Sequence, residues 1–185
     1  FLEGEEASFI CLVSGEKVIP LASSKDHKKL NNGDYGPNTG GMGVFSPAPI
    51  VTPELHERII KEVIDPVIKG MAAEGQPYTG FLYAGLMIGE GGNINVLEYN
   101  CRMGDPETQS IMLRLKSDLL TLVENAIDGT LNNVNAKWDC RAALGVVMAA
   151  YGYPEMPRQG DVIHGLSELI FKDDLGKDFH VFQAG

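Results

Sequence analysis

The chain has 185 residues, 44% of them hydrophobic, and carries a formal net charge of −10 at pH 7. This length suits one domain, or one domain and part of another, and the acidity argues against the clustered Lys and Arg of a nucleic-acid-binding surface. No apolar run approaches the roughly 20 residues of a membrane helix, and the three cysteines form no C-x-x-C pair, so we expect no nucleic-acid or membrane partner and a reducing, cytoplasmic location.

The first part of the chain predicts a β-hairpin, a loop and an interrupted helix. Residues 8–21 form two apolar runs around a Ser-Gly-Glu turn, which is typical of a hairpin. Residues 33–43 consist largely of Gly, Pro and Asn, so we expect a loop there. Thr52 and Pro53 suit the N-cap and first position of a helix, and Pro66 should kink or restart that helix.

The middle of the chain predicts a second hairpin and two helices. Residues 81–88 are apolar on both faces, as in a strand near the centre of a covered sheet, and residues 94–100 should pair with them. A helix is predicted over residues 106–115. Ser117 could cap another helix that ends at Gly129.

Beyond Asn135 the character of the chain changes to strand-like and turn-rich segments. Strands are predicted at residues 142–149 (buried), 163–171 and 179–184. We therefore expect one domain at residues 1–135 and the start of a second, β-rich domain at residues 136–185. Because no Met begins the chain and an apolar alternation ends it, we expect both ends to be cuts through a longer protein.

The end of the second hairpin is the stretch most suggestive of chemistry. Glu98, Asn100 and Arg102 lie two residues apart, so a strand would place all three side chains on one face. A carboxylate and an amide supply oxygen ligands for Mg²⁺, and a guanidinium binds phosphate or carboxylate. The alternative is the solvated face of an edge strand.

Asp105 and Glu107 follow at the predicted start of the helix. Asp105 could cap a helix that Pro106 begins, and Glu107 in the first turn could complement the helix dipole. Backbone N–H groups at such a helix start also favour anions. The two carboxylates therefore have a structural interpretation beside a role in substrate binding.

The Gly-rich loop is the second candidate for a binding site. Glycines in residues 36–43 let the backbone approach a ligand closely and form an anion-binding nest. Lys25, Lys28 and Lys29, in the densest cationic patch of this acidic chain, lie just upstream. The alternative is a long flexible turn, and the loop lacks the Gly-Lys-Ser/Thr of a Walker A motif.

With these motifs in view, the chain resembles the phosphoribosylamine–glycine ligase (glycinamide ribonucleotide synthetase) family over its whole length. Two motifs carry the resemblance most specifically, Gly36-Pro37-Asn38-Thr39-Gly40-Gly41-Met42-Gly43 and Arg102-Met103-Gly104-Asp105-Pro106-Glu107. Supporting matches are Phe1 to Glu6, Asp26 to Lys28, Tyr83 to Leu86 and Glu98 to Cys101.

The resemblance implies a fold and an activity. The fold would be α+β: the C-terminal half of an ATP-grasp module, with a largely antiparallel sheet and packed helices, followed by part of a small β-rich domain. ATP would phosphorylate glycine, and the amine of 5-phosphoribosylamine would attack the glycyl phosphate, giving glycinamide ribonucleotide, ADP and phosphate in purine biosynthesis. The N-terminal part and lid half of the same enzyme would be missing, so we expect the 185 residues alone to be inactive.

The resemblance also implies roles for individual residues. Glu98 and Asn100 would bind Mg²⁺ or Mn²⁺, and Arg102 would be the catalytic residue that stabilises phosphoryl charge. Glu5 or Glu6 would face the nucleotide ribose, and Asp26, Lys28 and the loop at residues 38–41 would hold phosphate groups of ATP or phosphoribosylamine. The substrate-binding residues would be Asp26, Asn38, Thr39, Gly40, Gly41, Asp105 and Glu107.

Two other functions stay open. Another ATP-grasp carboxylate–amine ligase would share the metal pair but use different substrates, and the joint presence of both specific motifs disfavours it. A non-catalytic nucleotide- or phosphate-binding module would tolerate replacement of Glu98 and Asn100 better than an enzyme could.

Overall fold

The computed structural model describes residues 2–166 and 179–184, in two compact units, Phe1–Val146 and Val147–Gly185. The strands of the first unit are β1 Glu5–Ser14, β2 Lys17–Pro20, β3 Lys25–Asp26, β4 Lys29–Asn31, β5 Tyr35–Asn38, β6 Gly43–Ser46, β7 Thr79–Ile88, β8 Ile94–Asn100 and β9 Ala143–Val146. Its α-helices are α1 Pro53–Ile59, α2 Asp65–Ala73, α3 Glu107–Arg114 and α4 Leu119–Ile127.

The main sheet is antiparallel, with strand order β2-β1-β7-β8. Successive side chains of β1 alternate between its two faces. Ala7, Phe9, Cys11 and Val13 pack with alternate residues of β7 and with the buried face of α1 and α2. The opposite face packs against α3 and α4. The predicted hairpins and the central, doubly covered position of β7 are therefore confirmed.

The helix after Thr52 is interrupted as its proline predicts. The Thr52 hydroxyl accepts a hydrogen bond from the Leu55 amide at 3.2 Å, which confirms the N-cap. Residues 60–64 form a π-helical turn between α1 and α2, and Pro66 lies in the first turn of α2. Because Pro66 has no N–H, it cannot form the regular α-helical hydrogen bond, and the wider π-helical turn before it accommodates the missing bond.

Replacing Thr52 with alanine is expected to lower the free energy of unfolding by about 1 kcal/mol, because one amide of the first turn loses its acceptor. Urea-induced unfolding of the chain, followed by circular dichroism, measures this difference. Thr52→Ser keeps the hydroxyl and is the control. An equal loss in both variants would show that the methyl group, not the cap, stabilises the helix.

A second, three-stranded sheet has the order β3-β6-β9. Ser24 pairs with Ser8 of β1 through two backbone hydrogen bonds, so the chain passes from the main sheet into β3. The loop predicted at residues 33–43 is partly regular, since β5 pairs with β4 and β6 begins at Gly43. Strand pairing holds these residues in place despite their turn-rich composition.

Both C-terminal helices begin at residues other than those predicted. Helix α3 begins at Glu107, after a cis Asp105–Pro106 bond, and the Asp105 side chain accepts from Gln109 Nε2 instead of capping the helix. Helix α4 is capped by Asp118, whose carboxylate accepts from the Thr121 amide at 3.0 Å. The Ser117 hydroxyl, the predicted cap, is bonded to the 135–137 segment instead.

The strand predicted at residues 142–149 is shorter and more exposed than expected. Among the described residues, strand β9 pairs with β6 alone, as an edge strand, and Leu144 and Val146 are more than two-thirds exposed. In the second unit, residues 179–184 have no regular secondary structure, and most of the predicted strand at residues 163–171 lies outside the described residues. The domain limit near Asn135 stays a prediction.

Candidate functional site

A polar cavity of about 230 Å³ lies at one end of the main sheet, on the face that packs against α3. Its polar lining comes from β1, β7 and β8 below and from the β3–β5 segment at the side: Glu6, Ser8, Asp26, Lys28, Asn38, Tyr83 and Glu98. Farther along the same face the lining gives way to the apolar residues that hold α3 and α4. The face therefore changes from hydrophobic core to binding site along its length.

Strand register explains why Glu98 lies over the cavity. Ser8 of β1 is opposite Gly85 of β7, and Gly85 is opposite Glu98 of β8. A Cβ atom on Gly85 would lie 3.3 Å from Glu98 Cγ. The absence of a side chain at Gly85 therefore leaves room for the Glu98 side chain to extend over β7.

Asn100 shares this face with Glu98, but Arg102 lies beyond the regular strand. Strand β8 ends at Asn100, and the amide nitrogen of Asn100 is buried without a hydrogen-bond partner among the described residues. Arg102 is exposed in a bend and donates to the Met103 carbonyl at 2.9 Å. The strand alternation therefore does not reach Arg102, and its side chain does not line the cavity.

The described residues contain no group of three or more His, Cys, Asp or Glu side chains that could hold a metal ion. A carboxylate and an amide on one strand face are hard oxygen ligands, and Mg²⁺ is commonly held by one or two such groups together with substrate phosphates. Glu98 and Asn100 thus fit Mg²⁺ that arrives with a nucleotide better than a permanently bound ion.

Two ion pairs connect β1 to the cationic segment. Lys28 Nζ lies 3.6 Å from Glu6 Oε2, and Lys25 Nζ lies 3.1 Å from Glu5 Oε1. All four side chains are partly exposed, so these pairs add little stability. Glu6 and Lys28 line the cavity, whereas Glu5 and Lys25 do not.

Asp26 is the most perturbed carboxyl group in the cavity lining. Its residue is 8% exposed, and Oδ1 is buried without a hydrogen-bond partner among the described residues. Burial is the main cause that raises the pKa of Asp26 from 3.8 to about 7, and Glu107 adds to it; Lys28 acts in the opposite direction. Near neutral pH, this carboxyl group is therefore present in both protonation states.

Glu107 is buried behind the cavity and bonded to two of its lining residues. It is 2% exposed, and its Oε1 accepts from Ser8 Oγ at 2.7 Å and from Tyr83 OH at 3.0 Å. Burial and the Glu107 carboxylate raise the pKa of Tyr83, so the phenol stays protonated and donates. An influence of Glu107 on a substrate would thus pass through Ser8 and Tyr83.

The Gly-rich loop is fixed to the site at several points. Asn38 lines the cavity, and Thr39 binds the Lys28 carbonyl through its amide and its hydroxyl. Gly41 has φ +123°, and a Cβ atom there would lie 2.5 Å from Pro106 Cδ and 2.8 Å from Asp26 Oδ1. The structure thereby brings the loop, Asp26 and the 105–107 segment together. Gly40 is exposed beside them.

Replacing Gly41 with alanine is expected to destabilise the chain by about 2–4 kcal/mol, because backbone strain and a steric clash add. Gly33→Ala is the matched control, since Gly33 also has a positive φ, +77°, but has no atom within 4 Å of the added Cβ. Urea-induced unfolding of both variants separates the two contributions. Equal losses of unfolding free energy in the two variants would show that Pro106 and Asp26 move away from the added Cβ atom at no cost in stability.

Sequence reasoning missed the hydroxyls of Ser8 and Tyr83 and the buried Arg114. Ser8 is a polar residue inside an otherwise apolar strand, which is a signal that could have been followed. Arg114 is 8% exposed and donates to the Arg141 and Asp139 carbonyls and to Ser46 Oγ. These bonds anchor α3, and with it Glu107, to the second sheet.

Comparison with known proteins identifies the family. Residues 1–108 match the model of the family described as phosphoribosylglycinamide synthetase, ATP-grasp (A) domain. The chain belongs to this family. The resemblance noted from the sequence motifs and the predicted α+β, largely antiparallel ATP-grasp fold are thereby confirmed.

Relatives within the family cover the whole chain. It is 59% identical over 185 residues to a phosphoribosylamine–glycine ligase of Vibrio vulnificus and 60% identical over 185 residues to one of Allochromatium vinosum. The chain spans 42% of the length of each. The crystal structure of phosphoribosylamine–glycine ligase from Thermotoga maritima superposes with a TM-score of 0.76 at 38% identity, covering 85% of this chain and 39% of that one.

Among the described residues, no helix has the length and hydrophobicity needed to cross a membrane.

Proposed function

We propose that the chain is part of a longer enzyme, the full-length protein, which joins glycine to 5-phosphoribosylamine at the expense of ATP. The observation that supports this most is Glu98 in a cavity that Lys28 and Asp26 also line, with Asn100 next to Glu98 on the same face of β8, in a chain of this family. Residues 1–135 would belong to the catalytic domain and residues 136–185 would begin a second domain, in a cytoplasmic enzyme.

In this proposal, Glu98 and Asn100 hold the divalent cation, with Mg²⁺ or Mn²⁺ both suited to oxygen ligands. When bound, the cation neutralises nucleotide phosphate charge during phosphoryl transfer. Lys28 adds a positive charge at the cavity wall, where its partner Glu6 holds it at 3.6 Å. Arg102, which is exposed and forms no ion pair within the described residues, is the cation that we assign to the acyl phosphate.

The remaining residues position the substrates. Asn38 presents an amide to the cavity, and Thr39, Gly40 and Gly41 form the loop wall that Lys28 and Pro106 hold in place. Asp105 fixes the first turn of α3 through Gln109. Glu107 fixes the positions of the Ser8 and Tyr83 hydroxyls in the cavity wall by accepting a hydrogen bond from each. The reaction needs no covalent protein intermediate, because fixed charges and donors are sufficient for transfer of the γ-phosphoryl group from ATP to the glycine carboxylate.

Trapping of the activated carboxylate tests the first half of this reaction. Full-length protein incubated with ATP, Mg²⁺, glycine and hydroxylamine should release glycine hydroxamate and ADP in equal amounts. Alanine in place of glycine is the control for the identity of the carboxylate. Hydroxamate formation from alanine at the same rate would contradict glycine as the substrate, and its absence with glycine would contradict a glycyl phosphate.

A further inference from the structure

Asp26 is buried, lines the cavity and lies among other carboxylates, and these surroundings do not suit a group that binds phosphate. It lines the cavity together with the carboxylates of Glu6 and Glu98, and Glu107 lies behind them. Among the described lining residues Lys28 is the one cation. A phosphate beside Asp26 would therefore meet mostly negative charge, whereas an amine would meet an acceptor.

The proposed reaction requires such an acceptor. When an amine attacks an acyl phosphate, its lone pair forms the new N–C bond and the C–O bond to phosphate breaks, so phosphate leaves with that electron pair. The nitrogen then carries one proton too many until a base removes it. A general base must lie within reach of this proton and is most effective with a pKa near the working pH.

We propose that Asp26 is this general base, and that its carboxylate accepts the proton of the attacking amine and later releases it to solvent. The proposal rests on the proposed ligase function and assigns Asp26 a catalytic role in the amide-forming half of the reaction. It replaces the expectation that Asp26 holds a phosphate group of ATP or phosphoribosylamine.

The surroundings of Asp26 suit this role. Oδ1 lies against the Gly41 backbone and Pro106, where no described group donates to it. The pKa of Asp26 is raised to about 7, mainly by burial and to a smaller extent by Glu107 on α3 and Glu6 on β1. Lys28 and the His27 amide act in the opposite direction and keep part of the group ionised.

Replacement of Asp26 with asparagine in the full-length protein separates the two half-reactions. Formation of glycyl phosphate is followed by glycine-dependent scrambling of ¹⁸O from the β–γ bridge to the β non-bridging position of ATP. Amide formation is followed by mass spectrometry of the product. We expect the variant to keep scrambling within about threefold and to form amide at least ~100-fold more slowly.

Asp34→Asn is the matched control, because Asp34 is exposed in the β4–β5 turn and its φ of +60° is tolerated by asparagine. Both activities should stay at the wild-type level in this variant. A fall in both activities of Asp26→Asn by the same factor would overturn the proposal and place Asp26 in nucleotide or glycine binding. Unchanged amide formation would overturn it as well.

The pH dependence supplies an independent readout. The rate of amide formation in the wild-type protein should fall as pH drops through about 7, because protonated Asp26 cannot accept a proton. Glu107→Gln removes a charge that raises this pKa, so the acid limb should move to lower pH. An acid limb that persists in Asp26→Asn would overturn the assignment.

The melting temperature of the Asp26→Asn variant shows whether a loss of activity comes from loss of the general base or from unfolding. The folded-state pKa of Asp26 lies above its unfolded value, so ionising this carboxyl destabilises the fold, and stability falls as pH rises from about 4 to 7. Asparagine cannot ionise, and the Asp26→Asn variant should melt at a temperature equal to or above that of the wild type at pH 8.

The wild-type protein distinguishes failure of the ligase proposal from failure of the role assigned to Asp26. If the wild type itself shows no glycine-dependent scrambling of ¹⁸O in ATP, the ligase proposal fails, and not only the role of Asp26.

Discussion

Replacing Glu98 with glutamine in the full-length protein is expected to lower metal-dependent turnover by at least ~100-fold. Glutamine keeps the shape of the side chain but removes the negative charge that we assign to the divalent cation. Strand β8 places Glu98 beside Gly85 and over the cavity, so the local packing should survive. Steady-state ADP release at saturating ATP, measured over a range of Mg²⁺ concentrations, gives the comparison.

Glu90→Gln is the control for this substitution, because Glu90 is exposed in the turn between β7 and β8. It should retain wild-type turnover. Affinity for Mn²⁺ in the presence of ATP, measured by electron paramagnetic resonance, should fall in Glu98→Gln and not in Glu90→Gln. Normal turnover and Mn²⁺ affinity in Glu98→Gln would remove Glu98 from the metal site and favour a different ligand.

The largest effect on stability is expected from Ile59→Ala, at about 2–5 kcal/mol. Ile59 is 0% exposed and packs with Phe9 and Leu82 in the core between the main sheet and α1–α2. Truncation removes buried apolar surface and leaves a cavity that close packing cannot readily fill. The free energy of unfolding from urea titration of the chain measures the loss.

Ile127→Ala is a closely matched control, since Ile59 and Ile127 are the last residues of α1 and α4. Ile127 is 71% exposed, so its truncation should change stability by no more than about 0.5 kcal/mol. Similar losses at the two positions would contradict the assignment of Ile59 to the core.

Local patterns in the sequence were sufficient for much of the fold. Alternation and helical spacing predicted β1, β2, β7, β8 and the helices, and Thr52 and Pro66 act as their chemistry predicts. Helix α3 begins one residue after its predicted start, and α4 is capped by Asp118 instead of the predicted Ser117. Ser117 and Asp118 are both chemically suitable caps for α4, and the hydrogen bonds of the Ser117 hydroxyl with the 135–137 segment leave the cap to Asp118.

Pairing between strands that are distant in sequence could not be predicted from local patterns. The second sheet joins β3, β6 and β9, which lie far apart in sequence, and no local pattern specifies such a pairing. The same limit applies to the site. The pair Glu98 and Asn100 is visible in one strand, but the burial of Glu107 behind Ser8 and Tyr83 requires three separate elements to meet.

Asp26 shows the same dependence on tertiary structure. The family resemblance implies a phosphate-binding role for Asp26, which lies near two lysines in the sequence. In the fold, burial and the Glu107 carboxylate have the larger influence on its pKa. The sequence neighbours of Asp26 alone therefore do not predict the direction of its pKa shift.

Formation of glycinamide ribonucleotide by the full-length protein is the most direct test of the proposed function. Mass spectrometry should detect this product, together with one ADP per product, only when ATP, Mg²⁺, glycine and 5-phosphoribosylamine are all present. Omission of any one of them should abolish the product. ADP release without the amide product, or product formation that does not depend on glycine, would contradict the account.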